Sequence, residues 1–355
     1  MSKFSPLFFL LFCPFLSALA QFSGPESVEY HSPSHTYFVS NTTTDVIRRV
    51  WPGGNVSIFA PASLVGSSSP HGLEIVGDTL YVCTGSRLRA FRLADSTLLF
   101  NVNLNASFLN GITHDNDGYL YITDFSSPKI YRFNTQTRAF NIMVASPGGT
   151  PNGIIYDPYD GINPRLVFVT WGANAAVKAV SMADSSINTL VTTSLTNIDG
   201  ICKGRNGTFY LASWTPDRIT AYDSTFTGAP VTISNNVSNP ADICYNFDGD
   251  TIAVPNTGNN TVTYIGLLIT GTGEQAISDV QLYPNPAASE LRIHFLDNQN
   301  KYFIQIYSYM GTLVKSMSIR NNESIDISAL QQGQYLIEIQ SENGQLSRRK
   351  FMVCR

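Results

Sequence analysis

From residue 25 to residue 266 the apolar positions come in short runs, each closed by a turn and followed by another run. One unit keeps returning. A strand opens on Pro25-Glu26-Ser27-Val28, and a second follows at Tyr37-Phe38-Val39-Ser40. The pattern repeats at Pro70-His71-Gly72-Leu73 with Leu80-Tyr81-Val82-Cys83, and at Leu109-Asn110-Gly111-Ile112 with Leu120-Tyr121-Ile122-Thr123. It repeats at Pro151-Asn152-Gly153-Ile154 with Val167-Phe168-Val169-Thr170, and at Ile198-Asp199-Gly200-Ile201 with Phe209-Tyr210-Leu211-Ala212. The last copy is Pro240-Ala241-Asp242-Ile243 with Thr251-Ile252-Ala253-Val254. The starts lie 45, 39, 42, 47 and 42 residues apart, a period that suits one four-stranded propeller blade. A third strand with a basic or aromatic end follows, as in Lys129-Ile130-Tyr131-Arg132-Phe133, and then an outer one, as in Asn55-Val56-Ser57-Ile58-Phe59. One such blade cannot bury both of its faces. A closed ring of six buries every face between blades and removes the long free edges. The pattern therefore predicts an all-β chain with a six-bladed β-propeller over residues 21–268. Little chain precedes the first blade, so the outer strand of the sixth is expected from Leu267 to Thr270.

The pattern changes after residue 268. Residues 269–278 are small and polar, including Gly271-Thr272-Gly273-Glu274, and read as a linker. Strand-like alternation resumes over Leu291 to Phe295, Phe303 to Tyr307, Leu313 to Ile319 and Tyr335 to Ile339, with turns at Met310-Gly311 and Gln332-Gly333. Residues 279–355 are expected to form a small antiparallel β-sandwich.

At the other end, Lys3 precedes an apolar stretch from Phe4 to Leu19, and Ala18-Leu19-Ala20 offers a small-x-small cleavage pattern. Residues 1–20 read as a signal peptide rather than a membrane anchor, since Pro6 and Pro14 break a run already short for a span. No later run suits a transmembrane segment. Of the five cysteines, Cys13 leaves with the signal; Cys83, Cys202 and Cys244 sit inside apolar strand patterns and are expected as buried thiols, while pairing with Cys354 stays open. Charged residues make up 14% of the chain and the net charge is -4, so no basic stripe is present to meet nucleic acid.

The C-terminal module has a specific resemblance. Tyr283-Pro284-Asn285-Pro286-Ala287 opens it, and Ile306-Tyr307-Ser308-Tyr309-Met310-Gly311, Ile325-Asp326-Ile327-Ser328-Ala329-Leu330 and Gln332-Gly333-Gln334-Tyr335-Leu336-Ile337 follow in order. It ends on Arg348-Arg349-Lys350-Phe351. This resembles the C-terminal sorting domain of the type IX secretion system. The resemblance implies export from a Gram-negative bacterium, with the outer-membrane secretion machinery as partner, to the cell surface or the medium.

The first strand of each blade lines a propeller's central channel, so equivalent positions form a ring. Here that ring reads Glu26, His71, Asn110, Asn152, Asp199 and Ala241. Glu26, Asn152 and Asp199 supply oxygen ligands suited to a divalent cation such as Ca²⁺, Mg²⁺ or Zn²⁺; nothing calls for an organic cofactor. Asn-Gly and Asp-Gly are also turn dipeptides. A turn repeated in every blade explains Asn110-Gly111, Asn152-Gly153 and Asp199-Gly200 without a ligand, but explains Glu26 and His71 less well. The chain has no G-x-S-x-G, no H-E-x-x-H and no phosphate loop.

Gly24-Pro25-Glu26, Pro151-Asn152-Gly153 and Ile198-Asp199-Gly200-Ile201-Cys202 resemble, in order and by blade, segments of the senescence marker protein and gluconolactonase family of six-bladed lactonases. Propellers of the NHL type share much of the same text. The lactonase resemblance implies Glu26, Asn152 and Asp199 as metal ligands and Asn110 as a substrate contact; the chemistry of such a metal site makes Asp199 also the catalytic base for a metal-activated water, with His71 beside Asn110 as a substrate-binding residue. Ile198 replaces the Pro that the family carries before its Asp. Trp171 and Trp214 either wall the mouth or pack between blades. Two functions stand open: a metal-dependent hydrolase of lactones or related esters, and a non-catalytic binding propeller for a glycan, peptide or protein at the cell surface.

Overall fold

The alternation of each repeat produces a meandering sheet in which every strand pairs with the next. The computed structural model describes residues 21–158, 164–205, 207–267, 280–295, 302–308, 313–341 and 346–354. Its first sheet pairs Pro25–His31, Thr36–Asn41, Val46–Val50 and Val56–Ala60 in chain order, all antiparallel. Four more four-stranded sheets of the same order follow, with innermost strands Pro70–Val76, Leu109–His114, Thr150–Asp157 and Thr196–Lys203. A sixth sheet has three strands, Cys244–Asn246, Thr251–Asn256 and Thr261–Gly266. The innermost strands lie next to one another in chain order, and the sixth sheet meets the first. The chain is a β-propeller. The expected signal peptide, the expected linker and residues 268–270 of the expected outer strand lie outside the described residues; Leu267 is described and is not in a strand.

The core is laid down between blades. The second strands bury Val39, Leu80, Val82, Leu120, Ile122, Val167, Val169, Leu211 and Val254 completely, so the centre of each sheet is dry while outer strands such as Leu98–Asn103 are largely exposed. Clusters cross from one sheet to the next, as where Phe38, Ile47 and Phe59 of the first meet Leu73, Leu80 and Phe91 of the second. Each apolar face is thereby removed from water by its neighbour.

The ring closes at a seam that breaks the repeat. Where four blades carry Gly72, Gly111, Gly153 and Gly200, the first carries Ser27 and the sixth Asp242. The Asp242 N–H donates to the Glu26 carbonyl at 2.9 Å, and the Ser27 hydroxyl donates to the Asp242 carboxylate at 2.9 Å. Because Asp242 turns to the first blade, the sixth inner strand is interrupted there, leaving a single bridge at Pro240 and Asn256 before Cys244–Asn246.

Residues beyond 280 form the expected β-sandwich. One sheet holds Gln281–Tyr283, Glu290–His294 and Ser324–Asp326; the other runs Leu313–Ile319, Tyr302–Ser308, Gly333–Ser341, Leu346–Val353. Leu291, Ile293 and Ile325 of the first sheet face Ile304, Ile306, Ile337 and Ile339 of the second, all fully buried. Arg348 links this module to the propeller, donating to Asp250 at 2.6 Å and to its own module's Glu338 at 2.8 Å. The expected turn at Met310-Gly311 lies outside the described residues.

Candidate functional site

The inner strands are bulged at the same point. Register slips between Pro25 and Val28, Pro70 and Leu73, Pro151 and Ile154, and Ile198 and Ile201, each time over the dipeptide that carries the ring residue. The third blade slips at the same place, against Ile122 and Asp124. An extra residue at a bulge frees its backbone groups and re-aims its side chain, here toward the channel. The freed groups are satisfied by the small or hydroxyl residue that ends the second strand: the Gly111 N–H donates to Thr123 Oγ1 at 2.8 Å, and that hydroxyl donates to the Asn152 carbonyl of the next blade at 2.9 Å. Ser40 accepts the Ser27 N–H in the same way at 2.9 Å.

This corrects the turn reading of Asn-Gly and Asp-Gly. These dipeptides lie within strands, and Gly111, Gly153 and Gly200 are not in the left-handed region. The glycines are needed for closeness. A Cβ on Gly111 would lie 2.5 Å from the Asn152 carbonyl oxygen, and one on Gly153 2.6 Å from that of Asp199. Glycine lets each inner strand press on the next, which draws the ring residues together.

Three of them make a hydrogen-bonded chain across three blades. The Asn110 amide donates to Asn152 Oδ1 at 2.6 Å, and the Asn152 amide donates to Asp199 Oδ1 at 2.9 Å. All three are buried, at 5%, 2% and 2% exposure, so this chain is fixed by its surroundings rather than by water. Glu26 is close enough for its charge to act on Asp199. Burial raises the Asp199 carboxyl well above the usual range, and the charges of Glu26 and Asp242 add to the rise. Glu26 is raised to about 7 by burial and then by Asp242, and Asp242 to about 7 mainly by burial. Among the described residues none of the three pairs with a Lys, Arg or His. Such carboxylates take up either protons or a cation.

The donor set suits a hard divalent cation: two carboxylates from Glu26 and Asp199 and an amide oxygen from Asn152. Among the described residues no three His, Cys, Asp or Glu side chains gather closely enough to hold an ion by themselves, so the Asn152 amide is an essential member of any such set. Its oxygen would then turn from Asn110 to the ion.

His71 sits apart from this chain. Its Nδ1 bonds the Ser69 carbonyl at 3.0 Å, burial lowers its pKa so that it is neutral, and its ring meets Phe108 edge to face at 4.5 Å. Trp171 and Trp214 also pack edge to face, at 4.9 Å. The Trp214 indole comes near enough to Asp199 to pull that carboxyl slightly down. Sequence reasoning passed over Ser27 and Asp242, although their departure from the repeated glycine marked them.

The opposite half of the channel opens into a cavity of about 430 Å³ with Glu29, Glu74, His114, Asp157 and Lys203 on its wall. Glu74 bonds His114 Nδ1 at 2.5 Å, and the buried Asp157 accepts from Lys203 at 2.6 Å and from Arg165 at 3.0 Å. Cys202 and Cys244 also line it as free buried thiols, as Cys83 is elsewhere.

Two comparisons bear on identity. Residues 281–354 match the secretion system C-terminal sorting domain. The tail module carries that likeness along its whole described length. For the propeller, a gluconolactonase from Xanthomonas campestris aligns over 70% of this chain and 87% of its own, with a TM-score of 0.59 and 14% identity. The calcium-binding protein regucalcin from Agrobacterium tumefaciens aligns over 65% and 81%, with a TM-score of 0.52 and 16% identity. A putative gluconolactonase aligns over 67% and 87%, with a TM-score of 0.54 and 15% identity. At these identities the likeness is one of fold. No curated protein matches the sequence. Among the described residues no helix is long and apolar enough to cross a membrane.

Proposed function

We propose that the chain is an exported, metal-dependent hydrolase of lactones or related esters, with its site in the propeller channel. Residues 1–20 are its signal, 21–268 the catalytic propeller, 269–278 a linker, and 279–355 the module that engages the type IX machinery for delivery to the surface or the medium. The observation that carries the reading is the buried Asn110–Asn152–Asp199 chain beside Glu26, with carboxylates that no basic side chain among the described residues neutralises. The gluconolactonase and regucalcin folds lend support, because the same architecture hosts those proteins.

Glu26, Asn152 and Asp199 would hold the ion, which would polarise the substrate carbonyl and lower the pKa of a water. Asp199 would take the proton from the attacking water, its carboxylate held ionised by the cation it shares with Glu26. Asn110, already turned to Asn152, orients the substrate beside it. Neutral His71 presents its ring at the rim and carries no charge into the site.

A lactone panel assayed with Ca²⁺, Mg²⁺ or Zn²⁺ tests this. Hydrolysis that falls by about 10²-fold or more in Asp199→Asn, and that chelator abolishes in the parent chain, is the expected result. Hydrolysis unaffected by the chelator and by Asp199→Asn would overturn the mechanism. No hydrolysis and no bound ion would leave a binding propeller for a glycan, peptide or protein.

A further inference from the structure

Further along the channel the inner strands build a second ring. Three residues after each ring residue they carry Glu29, Glu74, Thr113, Ile155, Cys202 and Cys244, and all six line the cavity of about 430 Å³ at the opposite mouth. This ring has two unlike sides. The first and second blades supply the two carboxylates. The fourth, fifth and sixth supply Ile155 and two free thiols, with Cys202 and Cys244 only 5% and 6% exposed. The buried Cys202 sulfur has no hydrogen-bond partner among the described residues, so that side of the wall is soft and apolar.

The charges around the cavity are unequally matched. Asp157 is held by Lys203 at 2.6 Å and Arg165 at 3.0 Å, and Glu74 by His114 at 2.5 Å. Lys203 also lies over the Phe209 ring at 5.1 Å, which keeps it in the wall. Glu29 and Asp242 form no ion pair among the described residues. Burial pushes the Glu29 carboxyl well above its usual range, and the charges of Glu74 and Asp242 push it further, against a bond from the Tyr30 N–H. A carboxylate so placed lacks a cation.

The walls say which kind. Among the described residues no three His, Cys, Asp or Glu side chains gather closely enough to hold a metal ion, and the cavity is far larger than one. Tyr30, Tyr245 and Phe247 line it, and the last two meet edge to face at 4.7 Å. The Tyr30 hydroxyl donates to Asp248 at 2.8 Å and the Tyr245 hydroxyl to Asp250, so these rings offer faces rather than free donors. Ring faces attract an organic cation, and the apolar side of the ring suits an alkyl body.

We propose that this cavity binds an organic ammonium, with the charged head at Glu29 and an aliphatic body against Ile155, Cys202 and Cys244. The site is separate from the proposed hydrolase centre and does not rest on it. Isothermal titration calorimetry of the full chain with hexylammonium, 1-hexanol and hexanoate tests the assignment, because the three share a body and differ in the head. One hexylammonium per chain is expected, bound at least ~10-fold more tightly than hexanol, with hexanoate silent. Glu29→Gln keeps the shape and loses the charge, so hexylammonium should then bind within about twofold of hexanol. Ile155→Trp fills the apolar side and should abolish binding of both. Thermal melts show whether each variant is folded. Hexanol bound as tightly as hexylammonium, a preference that survives in Glu29→Gln, binding that survives in Ile155→Trp, or no heat from hexylammonium at ~10 mM would overturn the proposal. Ca²⁺ binding that Glu29→Gln abolishes, with hexylammonium silent, would make the cavity a metal site and overturn it as well.

Discussion

Replacing Gly153 with Ala should loosen the propeller at its centre. The added Cβ would lie 2.6 Å from the Asp199 carbonyl oxygen and 3.1 Å from both Gly200 Cα and the Ile201 nitrogen. All three are backbone atoms of the next blade, so no side chain can swing away; two inner strands must separate instead. Overpacking of this kind costs about 1–3 kcal/mol, and the purely backbone clash argues for the upper end. At roughly 2–4 °C per kcal/mol for a domain of this size, melting should fall by about 6–12 °C. The same separation stretches the 2.9 Å bond from Asn152 to Asp199, so any ion-linked stabilisation should shrink with it. Gly266 is the control: nothing lies within 4 Å of its Cβ position and it is not in the left-handed region. Gly266→Ala should be neutral or stabilise by up to about 1 kcal/mol through the unfolded chain. Thermal melts by circular dichroism measure both. A Gly153→Ala protein that melts with the parent would refute the claim that these glycines exist for blade contact.

Two other predictions follow from the buried charges. Folding raises the Glu26 carboxyl from 4.5 to about 7, so its contribution to stability is present below pH 4.5 and lost as pH rises through 7. In chelator, stability should therefore drop by roughly 3 kcal/mol across that window, less in Glu26→Gln, and added divalent cation should offset the drop; melts that stay flat between pH 5 and 8 in chelator would contradict this. Asp157 accepts from Arg165 and Lys203 with its carboxylate fully buried, so Asp157→Ala should cost about 3 kcal/mol by stranding two cations, read as a lowered denaturant midpoint.

The fold was legible because a blade is a local, repeated unit. Pro70 and Leu109 open two of the inner strands, Pro151 and Ile198 stand within the first three residues of two more, and these four bear Gly72, Gly111, Gly153 and Gly200; the runs Leu80-Tyr81-Val82, Val167-Phe168-Val169 and their counterparts are the dry second strands. The tail's alternation gave its sandwich for the same reason. The ring of candidate residues was legible as positions, but Asn-Gly and Asp-Gly were ambiguous, because glycine serves a turn and a close approach equally well in a single chain. Only the bulged register and the carbonyl of the next blade separate the two. Contacts between blades were not legible. Nothing local pairs Ser27 with Asp242, 215 residues apart, or sets Trp214 near Asp199.

The proposed function stands on a divalent cation held by the Glu26 and Asp199 carboxylates of the channel. Metal content of the purified full chain by mass spectrometry, beside a Glu26→Gln/Asp199→Asn double variant, tests it most directly. About one divalent ion per parent chain and none in the variant are expected, with a melting temperature that chelator lowers only in the parent. No ion in either protein, with melting of the parent indifferent to chelator and cation, would contradict it.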